Sequence, residues 1–160
     1  MGTASRAETI DWVKSNGADY VINHYHPFTS QLSELGLDQI DAILCLNSTD
    51  QHWENMADAI KPQGKISSIV ETEKPVNLRL LFSKSVSFTW EMMFTRSLFQ
   101  TQDMLKQHHL LQNISTLVDQ GIIQTTLTKR IEKINAKNVK EAHQILESGK
   151  MMGKVVLENF

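Results

Sequence analysis

The sequence has 160 residues, of which 41% are hydrophobic and 21% charged, and its formal net charge is -2. These values are typical of one globular domain with a real core, and they give no reason to expect nucleic acid or an anionic membrane as a partner. The single cysteine, Cys45, excludes an internal disulfide and fits a reducing compartment. Without a signal peptide or an apolar run of about 20 residues, the sequence predicts a soluble, cytoplasmic domain.

The N-terminal stretch predicts one β-α-β step that starts abruptly. Thr3–Ser5 has the character of a strand end, and Ser5 with Glu8 forms a capping box that predicts a helix start. Asn16-Gly17 predicts the end of that helix, and Tyr20–Ile22 predicts the next strand. Because too few residues precede Thr3 to complete its strand, we expect the chain to open in the middle of a nucleotide-binding fold.

The middle of the chain continues the alternation of strands and helices, which predicts β-α-β units and a parallel sheet. In order, the predicted elements are a helix from Pro27 to Gly36, a strand Ile40–Leu46 buried on both faces, a helix capped by Ser48 or Thr49, a break at Lys61–Gly64 and a strand Lys65–Val70.

After Pro75 the spacing of the elements changes. The predicted elements are a short helix or turn at Leu78–Phe82, a longer strand Ser85–Phe94, a helix Thr101–Gln120 ended by Gly121, an exposed strand Thr125–Ile134, a helix Ala136–Ser148 and a final strand Lys154–Leu157.

The ends of the predicted strands supply the candidate cofactor-binding residues, since ligands of doubly wound folds lie outside the carboxyl ends of the strands. Ser5 and Arg6 stand where an NAD-binding fold commonly has a carboxylate, and their hydroxyl and guanidinium groups suit a 2′-phosphate. Asn47 follows the next buried strand and can hydrogen-bond a cofactor. A structural role remains the alternative for each residue. Ser5 would then only cap the helix, Arg6 would face water, and Asn47 would belong to a polar turn.

Other chemistries find little support in the sequence. His108 and His109 point about 100° apart on a helix, and His24 with His26 makes at most a weak two-ligand site, so we expect no metal. No GxSxG elbow is present, and Cys45 in a core strand is expected to act as a small hydrophobe. No glycines form GxGxxG or GxxxxGK, so the loop that binds a pyrophosphate is missing.

Five segments in register resemble one family. They are Thr3–Arg6, Gly17–His24, Ile40–Leu44, Lys61–Ile66 and Ala142–Leu157. In this order and spacing they resemble the C-terminal half of medium-chain dehydrogenases/reductases, closest to the quinone-oxidoreductase-like enzymes often labelled zinc-type alcohol dehydrogenases. The resemblance covers essentially the whole chain and is weakest over Lys74–Gln120.

The resemblance implies an α/β fold: a Rossmann-type, doubly wound, mostly parallel sheet that lacks the first strand and glycine loop, plus a C-terminal strand-helix-strand segment. Residues 1–124 would form the partial dinucleotide-binding domain, and 125–160 the returning segment of the catalytic domain, packed as one unit with it. Ser5 and Arg6 would then lie at the 2′-phosphate of NADPH. His24 stands where relatives often carry a tyrosine near that phosphate, and Lys154 matches a basic position near the cofactor, although an exposed lysine opening a strand explains it equally.

The activity implied is the NADPH-dependent, zinc-independent reduction of a carbonyl or an activated alkene such as a quinone or enone. Since the family holds its substrate between two domains, we expect NADPH binding to be weak or absent and the chain alone to be inactive, without catalytic residues of its own. Whether the chain is an enzyme stays open, because a non-catalytic oligomerisation or binding module on a truncated Rossmann fold is the alternative. A flavodoxin-like enzyme suits the coarse pattern but not the register of the motifs.

The missing first strand leaves two predicted strand edges without partners, so the gap must close, be filled or be covered. We expect Thr3–Ser5 to pair directly with Ile40–Leu46, or a partner chain to intervene. The apolar strand Ser85–Phe94 resembles the dimer edge of the family, which predicts a homodimer through it.

Overall fold

The computed structural model describes all 160 residues, which divide into two compact units, Met1–Met104 and Leu105–Phe160. The elements of the first unit are β1 (Gly2–Thr3), α1 (Ala7–Ser15), β2 (Val21–Ile22), α2 (Phe28–Glu34), β3 (Ile40–Cys45), α3 (Thr49–Ala59), β4 (Ile60–Ser68), α4 (Arg79–Phe82), β5 (Ser87–Trp90) and α5 (Thr95–Leu98). The elements of the second unit are α6 (Leu105–Asp119), β6 (Leu127–Glu132), α7 (Ala136–Glu147) and β7 (Lys154–Glu158).

Every strand pair of the structure is parallel, as the alternation of strands and helices predicts. In the first unit β1 pairs with β2, and β3, β4 and β5 form a second sheet in that order. In the second unit β6 and β7 pair across α7, which confirms the C-terminal strand-helix-strand segment. The interpretation of 1–124 as a partial cofactor domain and 125–160 as a returning segment stays a prediction.

The start of α1 differs from the predicted capping box by one residue. Arg6 is the N-cap, and the Thr9 hydroxyl accepts from the Arg6 amide at 3.2 Å and donates to the Arg6 carbonyl at 2.9 Å. The prediction of Ser5 as cap with Glu8 reaching back is therefore wrong. A threonine at the third helical position satisfies the same end groups that a glutamate would, and this leaves Glu8 to pair with the Arg6 guanidinium at 3.2 Å.

The turns predicted at Gly17 and Pro27 are confirmed, whereas the predicted break at Lys61–Gly64 belongs to β4, which begins at Ile60 and not at Lys65. Gly17 follows α1 with a φ of 98°, and Pro27 is the N-cap of α2. The C-terminus of α3 has no glycine, and Lys84 takes its place by donating to the carbonyls of Ala57, Asp58 and Ile60 at 2.8 to 2.9 Å. A cation is favourable there because it satisfies free carbonyls and faces the negative end of the helix dipole.

The core of the first unit lies on one side of the β3-β4-β5 sheet, under α2, α3 and α4. Its buried members are Ile22, Phe28, Leu32, Cys45, Trp53, Met56, Ala57, Ala59, Ile60, Ile66 and Leu81. The burial of Cys45 agrees with its predicted role as a small hydrophobe.

The structure departs from three expectations about the strands. β3 is buried on one face only, since Cys45 is buried whereas Leu44 is 62% exposed. β1 pairs with β2 and not with β3, so the expected direct pairing of Thr3–Ser5 with Ile40–Leu46 is wrong, whereas the alternative of a partner chain stays a prediction. The strand predicted at Ser85–Phe94 is shorter, because the chain turns into α5 after Trp90.

Candidate functional site

A cavity of about 600 Å³ lies between the two sheets of the first unit. Thr3 of β1 and Cys45 of β3 both line it, so the last residues of two strands meet at the same cavity. The full lining consists of Thr3, His24, Tyr25, Phe28, Ile43, Leu44, Cys45, Leu46, Asn47, Ser48, Gln51, His52 and Met56.

The cavity lies where the order of the strands reverses. From β1 the chain moves outward to β2, whereas from β3 it moves the other way to β4 and β5. In open α/β sheets such a switch point, at the carboxyl ends of the strands, is the usual place for a ligand. The position of the cavity therefore marks the candidate site.

A buried hydroxyl network holds the sheet side of the site together. The Thr49 hydroxyl lies 2.7 Å from that of Ser68 and donates to the Val70 carbonyl at 2.6 Å, and both hydroxyl residues are almost fully buried. The Cys45 thiol donates to the Asn47 carbonyl at 3.3 Å. These bonds tie the first turn of α3 to the ends of β3 and β4, which fixes the rim that Asn47 and Ser48 form.

Two histidines face each other at the wall of the cavity. The ring centroids of His24 and His52 are 5.9 Å apart, and the ring centroid of Phe28 also lies 5.9 Å from that of His52. His52 Nδ1 is buried and has no hydrogen-bond partner. Burial lowers the pKa of His52 below its ordinary value, and the positive charge that His24 can take lowers it further.

This lowered pKa predicts a pH dependence of stability. As pH falls below about 6.5, the unfolded chain protonates at residue 52 before the folded chain does, so the free energy of unfolding decreases until the lower folded pKa is passed. Above that pH both states are neutral there, and the contribution is fully present. His52→Leu should flatten the slope of stability against pH between about 7.5 and 5 in urea titrations.

The control for this prediction is His26→Leu, because His26 is exposed and does not line the cavity. We expect His26→Leu to keep the slope of the unsubstituted protein. Equal slopes for His52→Leu and the unsubstituted protein would contradict the assignment of the pH dependence to His52.

The structure brings some of the predicted site residues together. His24 and Asn47 line the same cavity. Ser5 and Arg6 follow β1 directly, one and two residues beyond the buried Ala4, and neither lines the cavity. Lys154 is the exposed first residue of β7 in the second unit. The binding role of all five residues stays a prediction.

The electrostatics around Arg6 are mixed. Its guanidinium pairs with Glu8, and the two side chains are 35% and 56% exposed. A partly exposed ion pair contributes at most about 1 kcal/mol, so an incoming phosphate can displace the carboxylate. Arg6 follows β1 by three residues, and Glu8 is a carboxylate that would compete with a phosphate for its guanidinium.

The sequence alone did not reveal Thr3, Gln51 and His52 as lining residues. The signal available was the spacing of α3, because Ser48, His52 and Met56 are four residues apart and therefore share one helix face. That spacing would have placed His52 beside the rim residue Ser48 and the core residue Met56.

No group of three or more histidine, cysteine or carboxylate side chains is positioned to hold a metal ion. The donor set of the chain therefore does not fit a zinc centre, which needs at least three protein ligands. No helix combines the length and the apolar character that a bilayer crossing requires.

Comparison with known proteins gives a consistent result. Residues 16–157 match the sequence profile of a family described as zinc-binding dehydrogenase. A zinc-type alcohol dehydrogenase-like protein of Staphylococcus epidermidis is 43% identical over 155 residues, which are 97% of this chain and 46% of that relative. The chain thus spans about half the length of the curated relatives it matches.

Solved structures share the fold. A Rhizobium etli CFN 42 protein of the zinc-dependent alcohol dehydrogenase type superimposes with a TM-score of 0.91 at 45% identity, covering 99% of this chain and 46% of that protein. A mycobacterial protein in complex with NADPH superimposes with a TM-score of 0.74 at 22% identity, covering 98% of this chain and 48% of that one. The Rossmann-type α/β fold implied by the sequence is confirmed.

Proposed function

The chain belongs to the zinc-binding dehydrogenase family, and from this premise we propose that it is the cofactor-binding part of an NADPH-dependent oxidoreductase. The observation that carries the proposal is the cavity at the switch point, where the ends of β1 and β3 meet. Its rim offers the side chains of His24 and Asn47, and Arg6 follows the adjacent strand. The NADPH complex of the mycobacterial neighbour supports the same cofactor.

In this proposal the residues of the chain bind and orient the cofactor, and none of them takes part in the chemical step. The Arg6 guanidinium and the Ser5 hydroxyl hold the 2′-phosphate, the Asn47 amide hydrogen-bonds the cofactor beyond β3, and His24 packs near the phosphate. The role of Lys154, which belongs to the second unit, stays what the family resemblance predicts, a basic residue of the cofactor site. When bound, a nicotinamide dinucleotide would supply hydride-transfer chemistry, and the residues named here would hold it. No residue of the chain is assigned a catalytic role.

The phosphorylated cofactor is preferred for an electrostatic reason. No carboxylate occupies the two positions after Ala4, where one would accept hydrogen bonds from the ribose and repel a phosphate. The Arg6 guanidinium instead gives charge-assisted hydrogen bonds to a 2′-phosphate. Glu8 opposes this preference, because its carboxylate is the present partner of Arg6.

The substrate proposed for the complete enzyme is a carbonyl compound or an activated alkene of the quinone or enone class. Since the chain spans about half the length of its relatives, we propose that it has no appreciable reductase activity alone. Turnover of a quinone by the purified chain with NADPH would contradict this.

We propose a cytoplasmic location, because the free, buried Cys45 suits a reducing compartment. Recovery of the protein with the membrane fraction of lysed cells would contradict that location.

The decisive ligand experiment uses adenosine 2′-monophosphate and adenosine as probes, because they differ only in the phosphate. We expect the unsubstituted chain to bind the phosphorylated probe more tightly. Arg6→Ala should weaken that binding by at least roughly tenfold, since a hydrogen bond to a charged group contributes about 1.5 to 3 kcal/mol. Calorimetric or NMR titration measures both affinities.

Two variants separate a specific contact from overall charge. Lys14→Ala removes one positive charge from the last turn of the same helix and should leave the affinity nearly unchanged. Glu8→Gln removes the competing carboxylate and should tighten binding of the phosphorylated probe. Equal losses for Arg6→Ala and Lys14→Ala, or no preference for the phosphate in the unsubstituted chain, would contradict the proposal.

A second candidate, a non-catalytic oligomerisation module, is favoured by the apolar surface around β5. Trp90, Met92, Met93 and Phe94 are all between 48% and 67% exposed, and only Glu91 interrupts this apolar stretch. Large apolar side chains exposed together are unusual on a monomer surface. Oligomerisation and cofactor binding are compatible. We propose that a second copy covers this surface, so that the protein is a homodimer through Ser85–Phe94.

If the protein is a dimer through this surface, a charged substitution in the surface should produce a monomer. Met92→Glu places a charge on the surface and should shift the sedimentation coefficient from dimer to monomer, because an unpaired charge in an apolar interface is costly. Phe82→Glu is the control, since Phe82 is 84% exposed and lies outside the stretch. A monomer at every concentration of the unsubstituted chain, or equal dissociation of both variants, would refute the dimer.

A further inference from the structure

Arg6 lies between two elements whose positions are fixed by contacts. Before it, the Ala4 amide donates to the Ile22 carbonyl at 2.9 Å, which holds the end of β1 against β2. After it begins α1, whose Val13 side chain packs so closely on Gly2 that a Cβ added there would lie 2.5 Å from Val13 Cγ1. Between these two anchors, the backbone torsions of Arg6 itself decide the direction in which its side chain extends.

One hydroxyl group bonds to the backbone on both sides of the Arg6 Cα. The Arg6 amide donates to Thr9 Oγ1 at 3.2 Å, and Oγ1 donates to the Arg6 carbonyl at 2.9 Å. That carbonyl also accepts from the backbone amides of Thr9 and Ile10, so its position does not depend on the threonine side chain alone. The bond from the Arg6 amide does need that side chain, and it helps to hold Arg6 at a φ of -113° and a ψ of 148°.

A fixed backbone matters for arginine because its long side chain has many rotamers. Immobilising such a side chain when a ligand binds costs conformational entropy, and prior ordering reduces that cost. The Arg6 side chain is 35% exposed, and its Nε lies 3.2 Å from Glu8 Oε1. The guanidinium thus has a defined place in the free protein, and Thr9 fixes the backbone from which it extends.

The residue type at position 9 also determines the charge near Arg6. A reciprocal cap at a helix start normally has Glu or Gln at the third helical position. A glutamate there would add a second carboxylate next to Glu8, and both carboxylates would repel an anionic ligand of Arg6. The Thr9 hydroxyl bonds to the same amide without a charge.

We propose that Thr9 is a positioning residue of the phosphate site, which holds the Arg6 side chain in place and does so without a competing negative charge. This inference rests on the proposed function, because Arg6 is there assigned to the 2′-phosphate of the cofactor. Thr9 does not touch the phosphate and acts through Arg6. Discrimination between phosphorylated and unphosphorylated cofactors therefore depends on residue 9 as well as on residue 6.

The test compares the affinity for adenosine 2′-monophosphate with that for adenosine, by calorimetric titration of variants at position 9. Thr9→Val keeps the branched shape and loses the hydroxyl, so the ratio of the two affinities should fall roughly three- to tenfold. Thr9→Ser keeps the hydroxyl and should retain most of the ratio. Thr9→Glu keeps a helix cap and should unfold at a similar urea concentration, yet its carboxylate should lower the ratio.

Two controls separate positioning from general damage to the helix. Ser15 Oγ donates to the Trp12 carbonyl, three residues back, at 2.8 Å, as Thr9 Oγ1 donates to the carbonyl of Arg6. Ser15→Ala removes this equivalent bond at the other end of α1 and should leave the ratio unchanged. In a chain that already carries Arg6→Ala, Thr9→Val should not change the ratio further, because its effect runs through Arg6.

A second measurement needs no ligand. NMR relaxation of the Arg6 Nε–H group should show greater motion in Thr9→Val than in the unsubstituted chain, and no change in Ser15→Ala. If the unsubstituted chain had no preference for the phosphorylated probe while Arg6 became more mobile in Thr9→Val, the proposed cofactor would be wrong and the positioning by Thr9 would stand.

Several results would overturn the inference itself. Unchanged motion of Arg6 Nε–H in Thr9→Val would show that the hydroxyl does not position the side chain. In a chain that prefers the phosphate, an unchanged ratio in Thr9→Val or Thr9→Glu would contradict it. So would an equal loss in Ser15→Ala, or an effect of Thr9→Val that persists alongside Arg6→Ala.

Discussion

Gly153→Ala is expected to disrupt the pairing of β6 and β7. Gly153 has a φ of 71°, which an L side chain rarely adopts, and an added Cβ would lie 2.6 Å from Thr128 Cγ2 and collide with the Thr126 carbonyl oxygen. That carbonyl accepts from the Lys154 amide at 2.8 Å, so backbone must move to make room. We expect a loss of more than about 3 kcal/mol in the free energy of unfolding of this unit.

The matched control is Gly149→Ala. Gly149 has a similar φ of 64°, but an added Cβ would meet nothing within 4 Å. This variant bears only the conformational cost of a left-handed residue, about 1 to 2 kcal/mol. Hydrogen exchange of the Lys154 amide and urea unfolding measure both effects, and equal losses in the two variants would show that close packing at Gly153 is unimportant.

Leu32→Ala is expected to remove about 2 to 5 kcal/mol from the stability of the first unit. Leu32 has no exposed surface and belongs to the core cluster between α2 and α3. Truncation to alanine removes buried methyl groups and leaves a void that the packed helices cannot fully close. The unfolding midpoint in urea, followed by tryptophan fluorescence, should fall accordingly.

Leu35→Ala is the control for the core substitution. Leu35 is the C-cap of the same helix and is 36% exposed, so it buries less surface. We expect its effect to be about 1 to 2 kcal/mol, smaller than that of Leu32→Ala. If Leu35→Ala destabilised the protein as much as Leu32→Ala, the loss would come from the helix and not from the core.

Local signals in the sequence located most of the elements. Gly17 and Gly36 have positive φ values at the ends of α1 and α2, and Pro27 stands at the N-cap of α2, as predicted. These signals succeed because helix ends are decided by residues within one turn of each other. The capping residue of α1 was misassigned by one position because Ser5 and Arg6 both precede a side chain able to complete a box, Glu8 or Thr9.

Burial and pairing were harder to predict than element positions. The apolar run of β3 indicated a strand buried on both faces, yet Leu44 is exposed. The apolar side chains of a strand favour burial, but elements distant in sequence determine whether those side chains are covered. The same holds for the gap between β1 and β3, because no local pattern in Thr3–Ser5 or Ile40–Leu46 indicates whether those two strands pair.

Some residues of the candidate site could be identified from the sequence, and others could not. Ser5, Arg6 and Asn47 were identified because they follow predicted strands, a feature visible in the sequence alone. His52 was not, because its significance comes from His24 and Phe28, which lie more than 20 residues away along the chain and about 6 Å away in space. Contact between such residues depends on how α2 and α3 pack, and packing is a property of the assembled unit.

The sequence by itself thus determined the succession of parallel β-α units, the turns between them and the resemblance to a dehydrogenase family. Each of these follows from short-range periodicity or from motifs in register. Only the tertiary structure decided that β1 and β3 do not pair with each other, that a cavity lies between them and that His24 faces His52. Strand pairing and burial join residues far apart in the chain, so their free energy depends on the whole arrangement and not on any one segment.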